Sequence, residues 1–223
     1  MLKHLAIIPD GNRRYAKKYG LSLEEVYRRS IDKIFNIVEW CKEFNIKTLS
    51  LWGFSTENWK RDAAERKILF KLFEEKARQI LEDERIKKEG IKINILGDIE
   101  RFPKKLRELF WKVEKETEKN KKFILNILLN YGGRKEIIAA VNKILSERKK
   151  KISEKGFKRY LWLKDEPDLI IRTSGEMRLS GFLPFQAAYS ELFFEKKYFP
   201  ELAKRDFKKI IANFSKRERR FGR

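Results

Sequence analysis

Five short apolar runs, each about the length of a β-strand, recur along the chain and are separated by longer segments with helical periodicity. The runs cover residues 4–9, 48–54, 91–96, 123–129 and 168–172. Continuous apolar runs of this length are typical of parallel strands that are buried on both faces. The alternation predicts a single α/β domain over residues 1–223, with a mostly parallel central sheet of about six strands flanked by helices.

The connecting segments carry recognisable helix start signals. Ser22 and Glu25 form a capping box before an apolar helix face that ends near Phe44. Cys41 lies on that face, which predicts a core position rather than a reactive thiol. Asp62 and Glu65 predict a second helix that starts in the same way and ends near Arg85. The remaining segments are a helix from Pro103, a helix over 134–148 and a lysine-rich loop over 149–159.

The chain is strongly basic, with 54 Lys and Arg against 33 Asp and Glu and a net charge of +21. One interpretation is a solvated, ion-rich surface of the kind that hyperthermophiles favour. The other is an anionic partner, which would be nucleic acid, a membrane surface or a phosphorylated substrate. One Cys and one His exclude a disulfide framework and a Cys/His zinc cluster, and a hydrolase triad would depend entirely on His4.

The N-terminal ten residues lead directly into a strand-like run and lack a signal-peptide pattern. No stretch approaches the ~20 apolar residues that a transmembrane helix needs. We therefore expect a cytoplasmic protein.

Polar, glycine-bearing segments follow four of the strands, and we call them the strand-end loops. They read DGNRR at 10–14, STENWKR at 55–61, NYGGR at 130–134 and RTSGEMRLS at 172–180. In parallel sheets, ligands bind outside the carboxyl ends of the strands. Arginine forks suit phosphate oxygens, and glycine lets backbone N–H groups approach an anion. Six arginines on these loops favour an anion site over isolated surface ion pairs: Arg13, Arg14, Arg61, Arg134, Arg172 and Arg178.

The anion site lacks the established nucleotide motifs, because neither GxxxxGK[ST] nor GxGxxG is present. Asp10 stands among the arginines, where a carboxylate would hold Mg²⁺ shared with a diphosphate. The alternative is that Asp10 serves only as a helix N-cap. Glu191, which follows a strand-like turn, is a second candidate acid.

Taken together, these motifs resemble those of the cis-prenyltransferase family, the undecaprenyl and dehydrodolichyl diphosphate synthases. The matching blocks run in family order from residue 4 to residue 222 and include DGNRR, FSTENWKR, LGD, NYGGR, AYSEL and the terminal RRFG. The resemblance implies an enzyme that condenses isopentenyl diphosphate onto an allylic diphosphate, forms a cis double bond and releases pyrophosphate. It also implies that His4 is structural.

The resemblance further implies roles for individual residues. Asp10 and Glu191 would bind Mg²⁺, and Asn58 would assist proton removal. The residues implied to bind the allylic diphosphate are Gly11, Asn12, Arg13, Arg14, Tyr15, Ser55, Thr56, Glu57, Trp59 and Arg61. Those implied to bind isopentenyl diphosphate are Arg172, Arg178, Leu179, Ser180, Arg220 and Gly222.

An apolar tunnel for the growing chain is also implied, and its expected wall residues are Leu69, Leu72, Phe73, Ile80 and Leu81. Their helical spacing is equally that of an ordinary core. The Arg220-Phe221-Gly222 element matches one that completes the site across a subunit interface, so the resemblance implies a homodimer. The remaining lysines form solvated surface that could also contact an anionic membrane at the periphery.

Several positions depart from the family pattern. Arg13 and Tyr15 are typical of the archaeal and eukaryotic branch, whereas bacterial members have Gly and Trp. Leu23 and Tyr27 stand where the family has Arg and His, so the resemblance leaves open the primer and the product length.

Three alternatives remain open. The chain could be the non-catalytic partner of a heteromeric prenyltransferase, although such partners lack the Asp and Arg constellation that this chain retains. It could use a different acceptor. Nucleic-acid binding is the remote alternative, because no nucleic-acid motif is present and most aromatic residues lie in apolar runs; we therefore expect small diphosphates and no nucleic acid as partners.

Overall fold

A computed structural model describes residues 1–217 of the 223-residue chain. Its six strands form one sheet in the order β3-β4-β2-β1-β5-β6, and every neighbouring pair is parallel. The strands are β1 (His4–Ile8), β2 (Thr48–Ser55), β3 (Ile91–Leu96), β4 (Phe123–Tyr131), β5 (Leu169–Arg172) and β6 (Glu191–Phe194). The predicted parallel sheet of about six strands is confirmed.

Helices connect the strands and cover the sheet. They are α1 (Asn12–Tyr19), α2 (Leu23–Glu43), α3 (Ala63–Glu82), α4 (Glu84–Lys88), α5 (Lys104–Thr117), α6 (Gly133–Ser146), α7 (Glu154–Lys158) and α8 (Lys204–Ser215). A 3₁₀ helix, Thr56–Lys60, follows β2. None of the helices within residues 1–217 is both long and apolar enough to span a lipid bilayer.

The capping box at the start of α2 is confirmed at its serine, because the backbone N–H of Glu25 donates to Ser22 Oγ at 3.1 Å. The second predicted capping box is wrong: the Asp62 side chain accepts no capping hydrogen bond from α3. Glu65 is instead buried and bonded to other side chains.

Two predicted boundaries also change. The helix expected to end near Arg85 ends at Glu82, because Asp83 accepts from the Arg85 N–H and caps a separate helix, α4. The lysine-rich stretch 149–159 is not all loop. Ser153 Oγ accepts from the Gly156 N–H at 3.1 Å and starts the short helix α7.

The core has two clusters, one on each face of the sheet, because successive strand side chains point to opposite faces. Leu5 and Ile7 of β1 belong to the larger cluster, under α2, α3, α5 and α8. Ala6 and Ile8 belong to the smaller one, with Phe182. Every β1 residue is buried, as its continuous apolar run predicts. Cys41 is fully buried in the larger cluster, which confirms its core position.

His4 takes part in a buried polar chain that crosses four neighbouring strands. Its Nε2 lies 2.8 Å from Ser50 Oγ, Asn126 Nδ2 donates to the same hydroxyl at 3.0 Å, and Asn94 Nδ2 donates to Asn126 Oδ1 at 2.8 Å. His4 Nδ1 is buried with no hydrogen-bond partner among the described residues. These contacts give His4 a structural role.

The buried imidazole makes folding stability depend on pH. Desolvation lowers the pKa of His4 to about 4 from 6.5, outweighing the opposing charges of Asp165 and Asp168. Between these values the unfolded chain binds a proton that the folded chain does not, so stability falls as pH falls. From pH 7 to pH 5 the free energy of unfolding should drop by about 2 kcal/mol more in the wild type than in His4→Gln. Urea unfolding at both pH values measures this difference, and equal pH dependence in the two proteins would contradict it.

Candidate active site

The loops that follow β1, β2 and β5 meet at the carboxyl edge of the sheet and surround a cavity of about 1010 Å³. We call it the polar cavity. Its lining contains eleven of the residues implied by the resemblance: Asp10, Gly11, Asn12, Arg13, Arg14, Ser55, Glu57, Asn58, Arg61, Arg172 and Ser180. Three of the four strand-end loops therefore meet at this cavity, whereas the loop at 130–134 contributes no residue to its lining.

Asp10 is held in place through its main chain by Thr173. The Asp10 N–H donates to Thr173 Oγ1 at 2.9 Å, and the same hydroxyl donates to the Asp10 carbonyl oxygen at 2.8 Å. Thr173 is fully buried. Thr173 is not among the residues implied by the resemblance, and its only sequence signal is that it directly follows Arg172.

The Asp10 carboxylate lies between two guanidinium groups. Arg172 Nη2 donates to Oδ2 at 2.9 Å and Arg14 Nη2 donates to Oδ1 at 3.3 Å. Burial by itself would raise the pKa of Asp10, but the Arg172 hydrogen bond and the charges of Arg172 and Arg14 outweigh it and hold that pKa below its usual range. Asp10 is therefore ionised at neutral pH.

Gly11 lets the chain turn directly from Asp10 into α1. Its φ is +102°, and a Cβ there would lie 2.5 Å from Tyr198 Cδ1 and 2.9 Å from Ser174 Cβ. Gly11 itself is the N-cap residue of α1, and no side chain caps this helix. The alternative that Asp10 serves only as a helix cap is therefore wrong.

Arg172 organises the loop that follows β5. Its side chain is only 7% exposed. Nη1 donates to Ser180 Oγ at 2.8 Å and to the Arg178 carbonyl oxygen at 2.5 Å. Glu176 accepts from Arg14 at 2.8 Å and pairs with Arg178. Arg172 thus links Asp10, after β1, to Arg178 and Ser180 in the loop that follows β5.

The 3₁₀ helix after β2 carries Asn58 at the polar cavity. Asn58 Oδ1 accepts from the Ser55 N–H at 3.0 Å, which holds the turn. Trp59 turns away from the cavity: its indole N–H donates to Asn130 Oδ1 at 2.7 Å and its ring packs against Phe54. Neighbouring residues of this loop therefore point in different directions: Asn58 lines the cavity and Trp59 packs in the core.

Several predicted residues lie outside the lining of the polar cavity. Tyr15 packs on Tyr19, and Leu179 packs on the smaller core cluster. Thr56 donates to Glu57 at 2.9 Å. Two of the six strand-end arginines do not line the polar cavity. Arg134 is exposed in the first turn of α6, and the side chain of Arg178 is 60% exposed and paired with Glu176.

Glu191 does not meet Asp10 within one chain. Glu191 is the first residue of β6 and therefore lies at the amino end of that strand. It is aligned with Leu169 of β5, three residues before Arg172. Its carboxylate binds Arg217 at 2.5 Å. Within residues 1–217, no three acidic, His or Cys side chains form a metal-binding group.

An apolar cavity of about 110 Å³ lies beside the polar cavity, between the sheet and α2, α3 and α5. We call it the apolar channel. Both cavities are lined by Pro9, Asn12, Gly53 and Leu69. Of the five expected wall residues, only Leu69, Phe73 and Ile80 line the channel.

The other two expected wall residues lie elsewhere. Leu72 contributes to a separate small cleft with Arg28 and Gln79, and Leu81 packs against the larger core cluster. Helical periodicity marks the apolar face of α3 but does not distinguish a channel wall from solid core.

The chain matches known proteins over nearly its whole length. A family model described as putative undecaprenyl diphosphate synthase matches residues 8–222. A tritrans,polycis-undecaprenyl-diphosphate synthase (geranylgeranyl-diphosphate specific) of Thermococcus kodakarensis is 45% identical, covering 99% of this chain and 87% of the relative. An isoprenyl transferase of Thermotoga maritima is 46% identical, covering 99% and 96%.

Solved structures agree with these relatives. A probable undecaprenyl diphosphate synthase from Campylobacter jejuni superposes with a TM-score of 0.85 at 35% identity, covering 100% of this chain and 99% of that one. Lavandulyl diphosphate synthase from Lavandula x intermedia, in complex with dimethylallyl diphosphate, gives 0.93 at 30% identity, covering 100% and 98%. With the sheet order, the polar cavity and the sequence matches in agreement, the chain belongs to the undecaprenyl diphosphate synthase family of cis-prenyltransferases.

Proposed function

We propose that this protein condenses isopentenyl diphosphate with an allylic diphosphate to give a cis-prenyl diphosphate and pyrophosphate. The observation that carries the proposal is the junction of two cavities. The polar cavity, with an ionised Asp10 between Arg14 and Arg172, adjoins the apolar channel and shares four lining residues with it. This arrangement suits a substrate with a charged head and a hydrocarbon tail, and a reaction that occurs where the two parts meet.

Departure of the allylic diphosphate requires its growing charge to be neutralised. The guanidinium groups of Arg14 and Arg172 and the N-terminal N–H groups of α1 lie where they can bind phosphate oxygens. The ionised carboxylate of Asp10 fits a divalent cation. Mg²⁺ bound there would stabilise the leaving diphosphate.

We assign the allylic diphosphate to the start of α1 and Arg61, and isopentenyl diphosphate to Arg172, Arg178 and Ser180. Proton removal needs only a weak base, because the intermediate carbon is cation-like. Asn58 lines the cavity, but its amide oxygen is engaged by the Ser55 N–H. That oxygen has a second lone pair, so it can still accept a hydrogen bond or a proton while the Ser55 contact is in place.

We propose that the primer is geranylgeranyl diphosphate. The support is that several archaeal relatives are named as specific for geranylgeranyl diphosphate, including a Pyrococcus furiosus synthase that is 47% identical. The purified chain, labelled isopentenyl diphosphate and Mg²⁺ are incubated with primers of ten, fifteen and twenty carbons. We expect the highest kcat/KM with twenty carbons. No incorporation with any primer would refute the synthase and favour a non-catalytic partner subunit.

The apolar channel should limit the product length. Ala77 lines it on α3 and is buried, and a phenyl group there would fill much of the free volume. Ala77→Phe should give shorter products with little change in the primer KM, measured by sizing the dephosphorylated products. Ala64→Phe, at an exposed position of the same helix, should leave product length unchanged. Full-length products from Ala77→Phe would show that the chain grows elsewhere.

We propose a homodimer in which Arg220 and Gly222 of one chain complete the isopentenyl diphosphate site of the other. These two residues lie outside the described residues, so this assignment rests on the resemblance alone. Light scattering on the purified chain tests the stoichiometry. Binding to anionic vesicles tests the peripheral membrane contact that would accompany a cytoplasmic location.

A further inference from the structure

A buried acid stands beside the polar cavity, among the arginines. Glu65 lies in the first turn of α3 and is only 4% exposed. Its Oε1 lies 3.1 Å from Arg61 Nη1, and its Oε2 lies 3.7 Å from Arg13 Nε. Burying a carboxylate is costly unless it is paired, and a negative charge here repels a bound diphosphate. A favourable contribution from Glu65 must therefore offset both the cost of its burial and its repulsion of diphosphate.

Tyr27 completes this group from α2. Its hydroxyl donates to Glu65 Oε1 at 2.6 Å and accepts from Arg61 Nη1 at 3.1 Å. The side chain is buried and lines the polar cavity. Burial raises the pKa of Tyr27, so the hydroxyl stays protonated and remains a donor at neutral pH. Glu65, Tyr27 and Arg61 thus form a closed triangle.

The next residue of α3 fixes the main chain of the same loop. Arg66 Nη1 donates to the carbonyl oxygen of Trp59 at 3.0 Å and also to that of Arg61. One helical turn therefore holds Arg61 twice, its side chain through Glu65 and its backbone through Arg66. This loop also carries Asn58 to the polar cavity.

We propose that Glu65, together with Tyr27, is a positioning residue that fixes the Arg61 guanidinium for diphosphate binding. Glu65 touches no substrate in this scheme and acts through Arg61, with Arg13 as a more distant member of the group. The proposal deepens the proposed function and rests on it, because it takes Arg61 as a diphosphate ligand. Tyr27 stands where the resemblance expects His, so this triangle is an arrangement that the family motifs did not predict.

Positioning and simple electrostatics predict opposite effects for Glu65→Gln. Removing a negative charge near the cavity should tighten anion binding if charge alone matters. If Glu65 positions Arg61, the loss of the ion pair frees the guanidinium and binding weakens. We expect the second result, with the Kd for inorganic pyrophosphate rising about tenfold, which is typical of coupling within one hydrogen-bonded group.

The test is a double-mutant cycle read by calorimetric titration with inorganic pyrophosphate in the presence of Mg²⁺. The proteins are the wild type, Glu65→Gln, Arg61→Ala and the double variant. Arg61→Ala should weaken binding, and Glu65→Gln should weaken it no further in that background. Glu75→Gln is the matched control, because Glu75 lies on the same helix and pairs with Arg28 at the surface; its Kd should equal that of the wild type.

Unchanged or tighter binding by Glu65→Gln would overturn the proposal, as would equal weakening in both backgrounds or no effect of Arg61→Ala. Failure of the wild type to bind pyrophosphate would overturn it as well. If thermal unfolding shows that Glu65→Gln does not fold, Tyr27→Phe replaces it in the cycle, with a smaller weakening that again vanishes without Arg61. Because the titration needs no turnover, a protein that binds pyrophosphate but incorporates no isopentenyl diphosphate would refute the reaction alone.

Discussion

Asp10→Asn should lower kcat for isopentenyl diphosphate incorporation about a thousandfold, in line with losses of a principal charge-stabilising group. The amide is nearly the same size and still accepts a hydrogen bond from Arg172. It carries no charge, so it is a poor ligand for Mg²⁺. The rate is measured as incorporation of labelled substrate at saturating primer and Mg²⁺.

Asp10 also contributes to stability, because its ionised carboxylate pairs with the buried Arg172. Some loss of thermal stability should accompany the kinetic effect, and circular dichroism shows whether the variant is folded at the assay temperature. Asp32→Asn is the control: Asp32 is 58% exposed and pairs with Lys76 away from the polar cavity. A folded Asp10→Asn variant with a near wild-type rate would show that the loop after β1 has another role.

Arg172→Lys should raise the KM for isopentenyl diphosphate about a hundredfold, because a lysine cannot reproduce bidentate or forked contacts. The guanidinium bonds Asp10, Ser180 Oγ and the Arg178 carbonyl at once. A single ammonium group cannot reach all three, so the loop after β5 loses its anchor.

The same substitution should lower the free energy of unfolding by about 2 kcal/mol, because hydrogen bonds from a charged, buried group are lost. Steady-state kinetics and urea unfolding measure the two effects. Arg29→Lys, at a half-exposed surface pair with Glu25, should change neither. A lysine variant with wild-type KM would remove Arg172 from the isopentenyl diphosphate site.

The sheet could be predicted because a strand buried on both faces has a distinctive sequence. β1 to β5 each read as an apolar run, and the helical segments between them require a parallel arrangement. β6 lacks such an apolar run, because Glu191–Phe194 is short, begins with a charged residue and is only partly buried along its length. The strand-end motifs located the polar cavity, since carboxyl ends of parallel strands share one edge.

Sequence motifs assigned residue types to the site but not the direction of each side chain. Trp59 and Asn58 are neighbours, yet one packs in the core and the other lines the cavity. The position of Arg134 on the loop after β4 predicts a place in the anion site, but the first turn of α6 leaves it exposed. Thr173 and Glu65 act through other residues, and such roles depend on long-range contacts.

The basic residues fall into two groups, those at the polar cavity and those on the surface. Arg13, Arg14, Arg61 and Arg172 line the polar cavity and serve the proposed diphosphate site. Many other cations form surface pairs, such as Lys71 with Glu24 on α2, which contribute little stability individually. The lysine excess therefore fits a solvated surface, and the cavity arginines fit small diphosphates rather than a polyanion.

The most direct test of the proposed reaction is the product of the purified chain acting alone. With isopentenyl diphosphate, geranylgeranyl diphosphate and Mg²⁺, we predict one pyrophosphate released for each unit incorporated, and a cis double bond in every added unit by NMR. Trans bonds, or no release of pyrophosphate with any allylic primer, would contradict the assignment of this protein as a cis-prenyl diphosphate synthase.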